Sequence, residues 1–159
     1  HPSDEAEYAS MWCKALIEQS SYFRIALEDN PAQPIPTKFT SESFTLGVFD
    51  NQKIKGSVSI EFGSRLRLKH KALLFKMFVH PDLSGKNVGH DLIRAGIEMA
   101  SGNKQLKQIY LTVLANNSRA IHLYNSIGFV KFAHELQAVN INGSYVDEFQ
   151  MVYFLSNSV

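Results

Sequence analysis

Residues 73–93 read LLFKMFVHPDLSGKNVGHDLI, and their order decides the architecture. The apolar run Ala72 to Val79, interrupted only by Lys76, is the pattern of a central strand covered on both faces. His80-Pro81 ends it, and helical spacing resumes at Val88. Between them lies Ser84-Gly85-Lys86-Asn87-Val88-Gly89, with no carboxylate among its side chains. The first turn of a helix carries unpaired N–H groups and the positive end of its dipole, so such a loop suits an anion. Glycine lets backbone approach a phosphate closely, and Asn87 is the non-glycine residue most at ease in left-handed geometry. Lys86 adds a point charge beside a diphosphate. The loop is not a Walker motif, because Asn87 follows Lys86 where Ser or Thr is required, nor is it GxGxxG. Taken alone, it is equally an ordinary connection.

Outward from this stretch the elements fall into order. Tyr8, Met11, Trp12, Ala15 and Leu16 share one face of a helix over about Ser3 to Gln19, which Ser3 or Asp4 can cap. A short helical piece is expected at Tyr22 to Leu27, before the loop Pro34-Ile35-Pro36. Period-two patterning then gives a hairpin, Phe44 to Phe49 and Ile54 to Phe62, turning at Asp50-Asn51. Arg65 to Lys71 reads as a solvated basic connector, or as a wall attracting an acidic group. A helix over about Val88 to Ala100 should present Val88, Leu92, Ala95, Gly96 and Met99 on one side. A strand at Ile109 to Leu114, a helix at Ser118 to Ile127 and strands at Phe129 to Phe132 and Val146 to Leu155 complete the chain. The sum is an α/β (α+β) three-layer domain: a mixed central sheet flanked by helices.

Composition bounds the function. At 159 residues, 45% hydrophobic and 19% charged, the chain is expected to form a single domain over residues 1–159. A net charge of +1 offers no global field for nucleic acid or a membrane surface, so neither is an expected partner. One cysteine, Cys13, forms no internal disulfide, which fits a reducing, cytoplasmic setting; it reads as a small buried apolar residue. No apolar run approaches a membrane span. His122 and His134 show no ligand spacing with Cys13, and no metal is expected. His80, at a strand end before proline, reads as structural.

A second stretch, LTVLANNSRAIHLYNSIGF at residues 111–129, sets a strand end, an asparagine, a helix and a tyrosine in fixed order. If its strand lies parallel to and beside the Ala72–Val79 strand, Asn117 and Tyr124 reach the same sheet edge as the glycine loop, where open sheets place ligands. Here the chain resembles the GNAT superfamily of N-acetyltransferases. Val113, Asn117, Ala120, Leu123, Tyr124, Gly128 and Phe129 match the family pattern Val-x3-Asn-x2-Ala-x2-Leu-Tyr-x3-Gly-Phe, and the loop at residues 84–89 falls on its pyrophosphate motif. The likeness runs from about Phe44 to Leu155. Ser84 stands where the family has Arg or Gln, Asn87 replaces a usual glycine, and no strand precedes Ser3.

The resemblance implies acetyl-coenzyme A as co-substrate and a primary amine of a small molecule or peptide as acceptor, by direct transfer in a ternary complex. It implies that backbone at Phe78 and Val79 pairs with the pantetheine arm, amides from Ser84 through Gly85, Lys86, Asn87, Val88 and Gly89 to His90 hold the diphosphate, and Asn117 bonds the arm. Tyr124 would protonate the leaving sulfur; the alternative is a core aromatic on the buried helix stripe. Glutamates that some relatives use as base are replaced by Leu73 and Thr112. Glu61 is therefore the first candidate base, with a surface carboxylate facing Arg65–Lys71 as its bland reading; His70, Asp147, Glu148 and a water chain follow. The first helix and the Pro34–Pro36 loop would wall the acceptor site. Relatives often form dimers, so a homodimer is an admissible assembly. A non-catalytic acyl-CoA sensor with the same fold is the alternative function.

Overall fold

The structure is a computed structural model, and it describes residues 1–156. A short 3₁₀ turn leads into α1 (Glu5–Glu18), followed by β1 (Ser43–Asp50), β2 (Lys53–Phe62), β3 (Lys71–Val79), α2 (Val88–Ser101), β4 (Gln108–Leu114), α3 (Ser118–Ile127), β5 (Val130–Ile141) and β6 (Ser144–Phe154). The strands form one mixed sheet in the order β1-β2-β3-β4-β6-β5. All neighbours are antiparallel except β3 and β4, which are joined by the α2 crossover.

Three layers follow from which faces are apolar. α2 and α3 cover one face, where Leu92, Ile93, Ile97 and Ile127 pack with Val58, Ile60, Leu74 and Ile109. Gly96 permits the close approach: a Cβ there would stand 3.0 Å from Ile60 Cδ1. The other face takes α1, whose Tyr8, Met11, Trp12, Ala15 and Leu16 are buried with Ile54 and Phe78. Beneath α1 the sheet is polar, with Ser57 and Ser59 fully buried. Trp12 Nε1 donates to Ser57 Oγ at 3.1 Å, and Ser59 continues a hydroxyl file through Thr45 to Thr37 at 2.8 Å per step.

The parallel pair is short. β3 and β4 are in register only at Lys71–Gln108, Ala72–Ile109 and Leu73–Tyr110. Beyond Leu73, β3 stays with β2 and β4 with β6, so the two strands part as a wedge. A bulge accompanies the parting: Ser59 faces Phe75 and Ser57 faces Phe78, so β3 spends an extra residue there, with Lys76 at φ +47°.

Several expectations change. Tyr22 to Leu27 is not a helix: 3₁₀ turns at Ser20–Tyr22 and Leu27–Asp29 flank a bend at Arg24-Ile25 between extended Phe23 and Ala26, and Phe23 packs edge-on against Trp12. The buried side of α2 is Leu92, Ile93, Gly96, Ile97 and Ala100, leaving Ala95 and Met99 exposed, because the isoleucines bury branched bulk that the offset stripe would have faced outward. β5 runs on to Ile141 although its sequence alternates poorly, since β6 pairs with it past two irregularities, one holding Gln137 at φ +52°. The hairpin turn is Asn51-Gln52, both left-handed, as a two-residue I′ connection demands.

Gly128 ends α3 at φ +115°, with its N–H and that of Phe129 both reaching Tyr124 O, at 3.2 and 3.0 Å. This αL cap swings Phe129 into the core. Gly128→Ala should cost about 1–2 kcal/mol, the penalty of left-handed backbone for a residue with Cβ, and lower the melting temperature by several degrees. An unchanged melting curve would contradict the cap assignment.

Candidate active site

Where β3 and β4 part, they open a cleft of about 1240 Å³. Its walls come from β3 residues Leu73 to Val79, β4 residues Thr112 to Leu114, the loop into α2, and α3. On the α1 face Trp12, Gln19, Tyr22–Ile25 and Glu148 complete it.

At the mouth, the chain into α2 leaves its amides bare. Asn87 is the N-cap at φ +61°, ψ +10°, and its side chain makes no capping bond. The first internal helix bond is Asp91 N to Asn87 O at 3.1 Å; among the described residues no protein acceptor meets the N–H groups of Gly85, Asn87, Val88, Gly89 and His90. The His90 ring adds a buried Nδ1 without a hydrogen-bond partner; Asp91 Oδ1 at 3.5 Å is too distant to supply one. α3 contrasts: Asn117 Oδ1 accepts from Ala120 N at 3.2 Å, an ordinary N-cap. Unsatisfied donors at the end of a helix dipole are the complement of an anion with several oxygens.

Of the residues named from sequence, Phe78, Val79, Gly85, Asn87, Val88, Gly89, His90, Asn117 and Tyr124 line the cleft. Ser84 and Lys86 do not. Ser84 Oγ instead receives Arg119 Nη2 at 3.0 Å, so α3 brings a guanidinium to the loop position where the family pattern has Arg or Gln. Nothing in the sequence tied Arg119 to Ser84; the contact spans 35 positions. Phe78 sends its side chain to the α1 cluster, leaving its main chain at the wedge. His80 is structural, its Nδ1 accepting from Asp82 N at 3.2 Å. Cys13 is half-buried rather than buried, its thiol donating to Pro31 O at 3.2 Å.

Tyr124 lies on the inner side of α3, 6% exposed, its ring edge-on to Phe129 at 5.8 Å. Among the described residues no protein group hydrogen-bonds its hydroxyl. Burial raises its pKa well above the ordinary phenol value, so it stays protonated at neutral pH.

Glu61 does not line the cleft. It pairs across to Leu73, at the end of β3 where the strands are still joined, and faces the α1 side with Ser57 and Ser59. The carboxylate at the cleft is Glu148, on β6 opposite Leu114, its side chain 3% exposed. Arg24 Nε stands 3.4 Å from its Oε2. Burial raises the Glu148 pKa, Arg24 opposes this, and Glu135 on β5 adds to it. On the α1 side the wall is Trp12, Gln19 and Tyr22–Ile25; Pro34–Pro36, expected to share it, lies outside the lining. Lys76, half-buried at the bulge, points the same way: its Nζ donates to Gln33 Oε1 at 2.5 Å and sits 4.9 Å from the Trp12 ring. Among the described residues there is no cluster of side chains able to hold a metal ion, and no helix long and apolar enough to cross a membrane.

A mixed sheet parted between two parallel strands, with an amide cradle at the parting, defines a GNAT-like α/β domain. The profile of the acetyltransferase (GNAT) family matches residues 8–129, and the chain belongs to that family. Solved structures share the fold. An acetyltransferase of the GNAT family from Streptococcus pneumoniae superposes with TM-score 0.83 at 24% identity, covering 98% of this chain and 96% of that one. A protein described as a putative acetyltransferase from Salmonella typhimurium, solved with its cofactor acetyl-CoA, superposes with TM-score 0.81 at 18% identity, covering 100% and 92%. Spermidine N(1)-acetyltransferase of Vibrio cholerae is 33% identical over 78 residues, 49% of this chain and 45% of that protein. The chain thus spans about half the length of the curated relatives it matches.

The buried Glu148 carries a prediction about stability. Its folded pKa lies above the unfolded value, so its contribution to stability is fully present below the unfolded pKa and is lost as pH rises through the folded one. Glu148→Gln should therefore raise the melting temperature at neutral pH, with the gain shrinking at pH 4. A variant equally destabilised at both values would refute the assignment.

Proposed function

We propose that this chain transfers the acetyl group of acetyl-coenzyme A to a primary amine, directly and in a ternary complex. The observation that carries the reading is the wedge between β3 and β4, with unpaired main chain along β3 on one side and free amides at its mouth. An extended pantetheine arm can add to that bare strand edge, and a pyrophosphate can take the amides of residues 85–90. The cradle fits such a group: its orphaned His90 Nδ1 and partnerless amides ask for an acceptor that the protein does not supply. Arg119 stands beside it. The name of the Vibrio cholerae relative and the acetyl-CoA in the Salmonella protein support the same reading.

Bound acetyl-CoA supplies an activated thioester. The chain's residues supply the rest. The carbonyl of Lys76 accepts from Ser57 Oγ at 3.4 Å, which steadies the bulge, and the β3 amides beyond it face the wedge, where one can donate to a carbonyl oxygen gaining charge. Glu148, in place of Glu61, takes the proton that the acceptor amine gives up as its nitrogen bonds to the acetyl carbon. Tyr124, a phenol protonated at neutral pH, donates its proton to the sulfur as the carbon–sulfur bond breaks. A sensor without turnover would have no use for a buried phenol and a buried carboxylate on opposite sides of one cleft.

Tyr124→Phe should lower kcat by about 10²-fold or more with little change in coenzyme A affinity, read by thiol release and calorimetry. Undiminished turnover would remove Tyr124 as the acid. Gly89→Glu should abolish measurable coenzyme A binding, because the Cβ would already stand 3.1 Å from Leu123 Cδ2 and the carboxylate would oppose the pyrophosphate. Retained affinity would locate the nucleotide elsewhere.

A further inference from the structure

We infer that the acceptor is a zwitterion, an amine bearing a carboxylate on the same amino-acid unit, and that Arg24 is the residue that holds the carboxylate. The inference rests on the transferase reading above and adds the class of acceptor. On the α1 side the cleft holds three charged side chains: Arg24, Lys76 and Glu148. Two are cations, so that side is net positive with one anionic point.

The three differ in what they have left to offer. Lys76 is committed, its Nζ bonded to Gln33 Oε1 at 2.5 Å and resting over Trp12 at 4.9 Å. Glu148 is almost wholly buried, with Arg24 as its ion-pair partner and the Glu135 carboxylate, its cross-strand neighbour, repelling it. The contact recorded between Arg24 and Glu148 runs from Nε at 3.4 Å, and the Arg24 side chain is 59% exposed; among the described residues no protein acceptor hydrogen-bonds its Nη nitrogens. A guanidinium turned this way has its Nη pair available as a fork, the geometry that suits a carboxylate. Because Nη and Nε share one carbon, that fork lies beside the Glu148 carboxylate. A ligand that puts an amine on Glu148 and an anion on Arg24 must carry the two groups a few bonds apart, as an amino acid does.

The same arrangement opposes a polycation. Spermidine, named for the relatives, has no anionic group for Arg24 and would set a second ammonium against Arg24 or Lys76. Trp12, Tyr22, Phe23 and Ile25 line the rest of this side, so the unit's own side chain meets an apolar and aromatic wall.

The test is thiol release by the whole chain with acetyl-CoA across the free amino acids, their carboxamides, their decarboxylated amines and spermidine. The expected result is that one or more amino acids exceed their own carboxamide and decarboxylated amine by about tenfold or more in kcat/KM, since a site built for a polar group rejects the analogue lacking it. Arg24→Gln should collapse the acid-over-amide preference in kcat/KM, any loss common to both substrates reporting the altered Glu148, and Arg24→Lys should restore part of the preference. Turnover of spermidine or of amides as efficient as that of the acids would overturn the inference and leave the transferase reading standing. So would an Arg24→Gln variant that keeps the full acid-over-amide preference. No thiol release with any amine tested, despite coenzyme A binding, would overturn both.

Discussion

Everything at the site depends on a sheet that stops pairing. Parallel strands normally exchange hydrogen bonds along their length, and an unpaired edge inside a domain leaves polar main chain without partners. β3 and β4 bond for three residue pairs and then separate. The separation is held from both sides. β4 is zipped to β6 from Gln108–Phe154 to Leu114–Glu148, and β3 is bound to β2 through a bulge. Lys76 sits in left-handed geometry at that bulge with its carbonyl bonded to Ser57 and its ammonium to Gln33. Ser57 also receives Trp12, so α1, a helix far from the loop of glycines, helps keep the wedge open.

The cleft is chemically two-sided. Its mouth toward α2 and α3 is built from main-chain donors, a ring nitrogen and Arg119, a set that suits phosphate oxygens. Its α1 side is built from aromatic rings and three charged side chains. Tyr124 lines the cleft with the first group and Glu148 with the second, the two residues proposed above to give and to take a proton. Their environments push both groups toward the protonated form for the same reason, loss of water, yet the roles differ. A phenol is protonated at neutral pH with or without that shift, while a carboxylate with a raised pKa is a stronger base once ionised.

The side of the cleft formed by the loop and α3, proposed to take the nucleotide, was legible in the sequence because it is local. Gly85, Asn87 and Gly89 act within one loop, and the run from Val113 to Phe129 acts within one strand–helix unit, so spacing alone carries them. α3 has the bounds its caps foretell, Asn117 and Gly128. The acceptor side was not legible because it is assembled across the chain. Arg24 meets Glu148, and Lys76 meets Gln33, through contacts with no sequence period. Glu61 attracted attention for ending a strand next to the central one, but the side of the sheet and the rung decide access, and neither is visible before registers are known. The bent segment Phe23–Ala26 likewise owes its shape to Trp12 and Phe78, which Phe23 packs against.

Trp12 is the chain's one tryptophan, and its indole is wedged between Phe23, Phe78 and the Lys76 ammonium, with its N–H on Ser57. Indole emission is quenched by nearby cations and shifts with the polarity around the ring. The molecule therefore carries an intrinsic optical gauge at the hinge between helix, bulge and wall. Any small molecule that rearranges that junction announces itself in the fluorescence spectrum, with no dye attached.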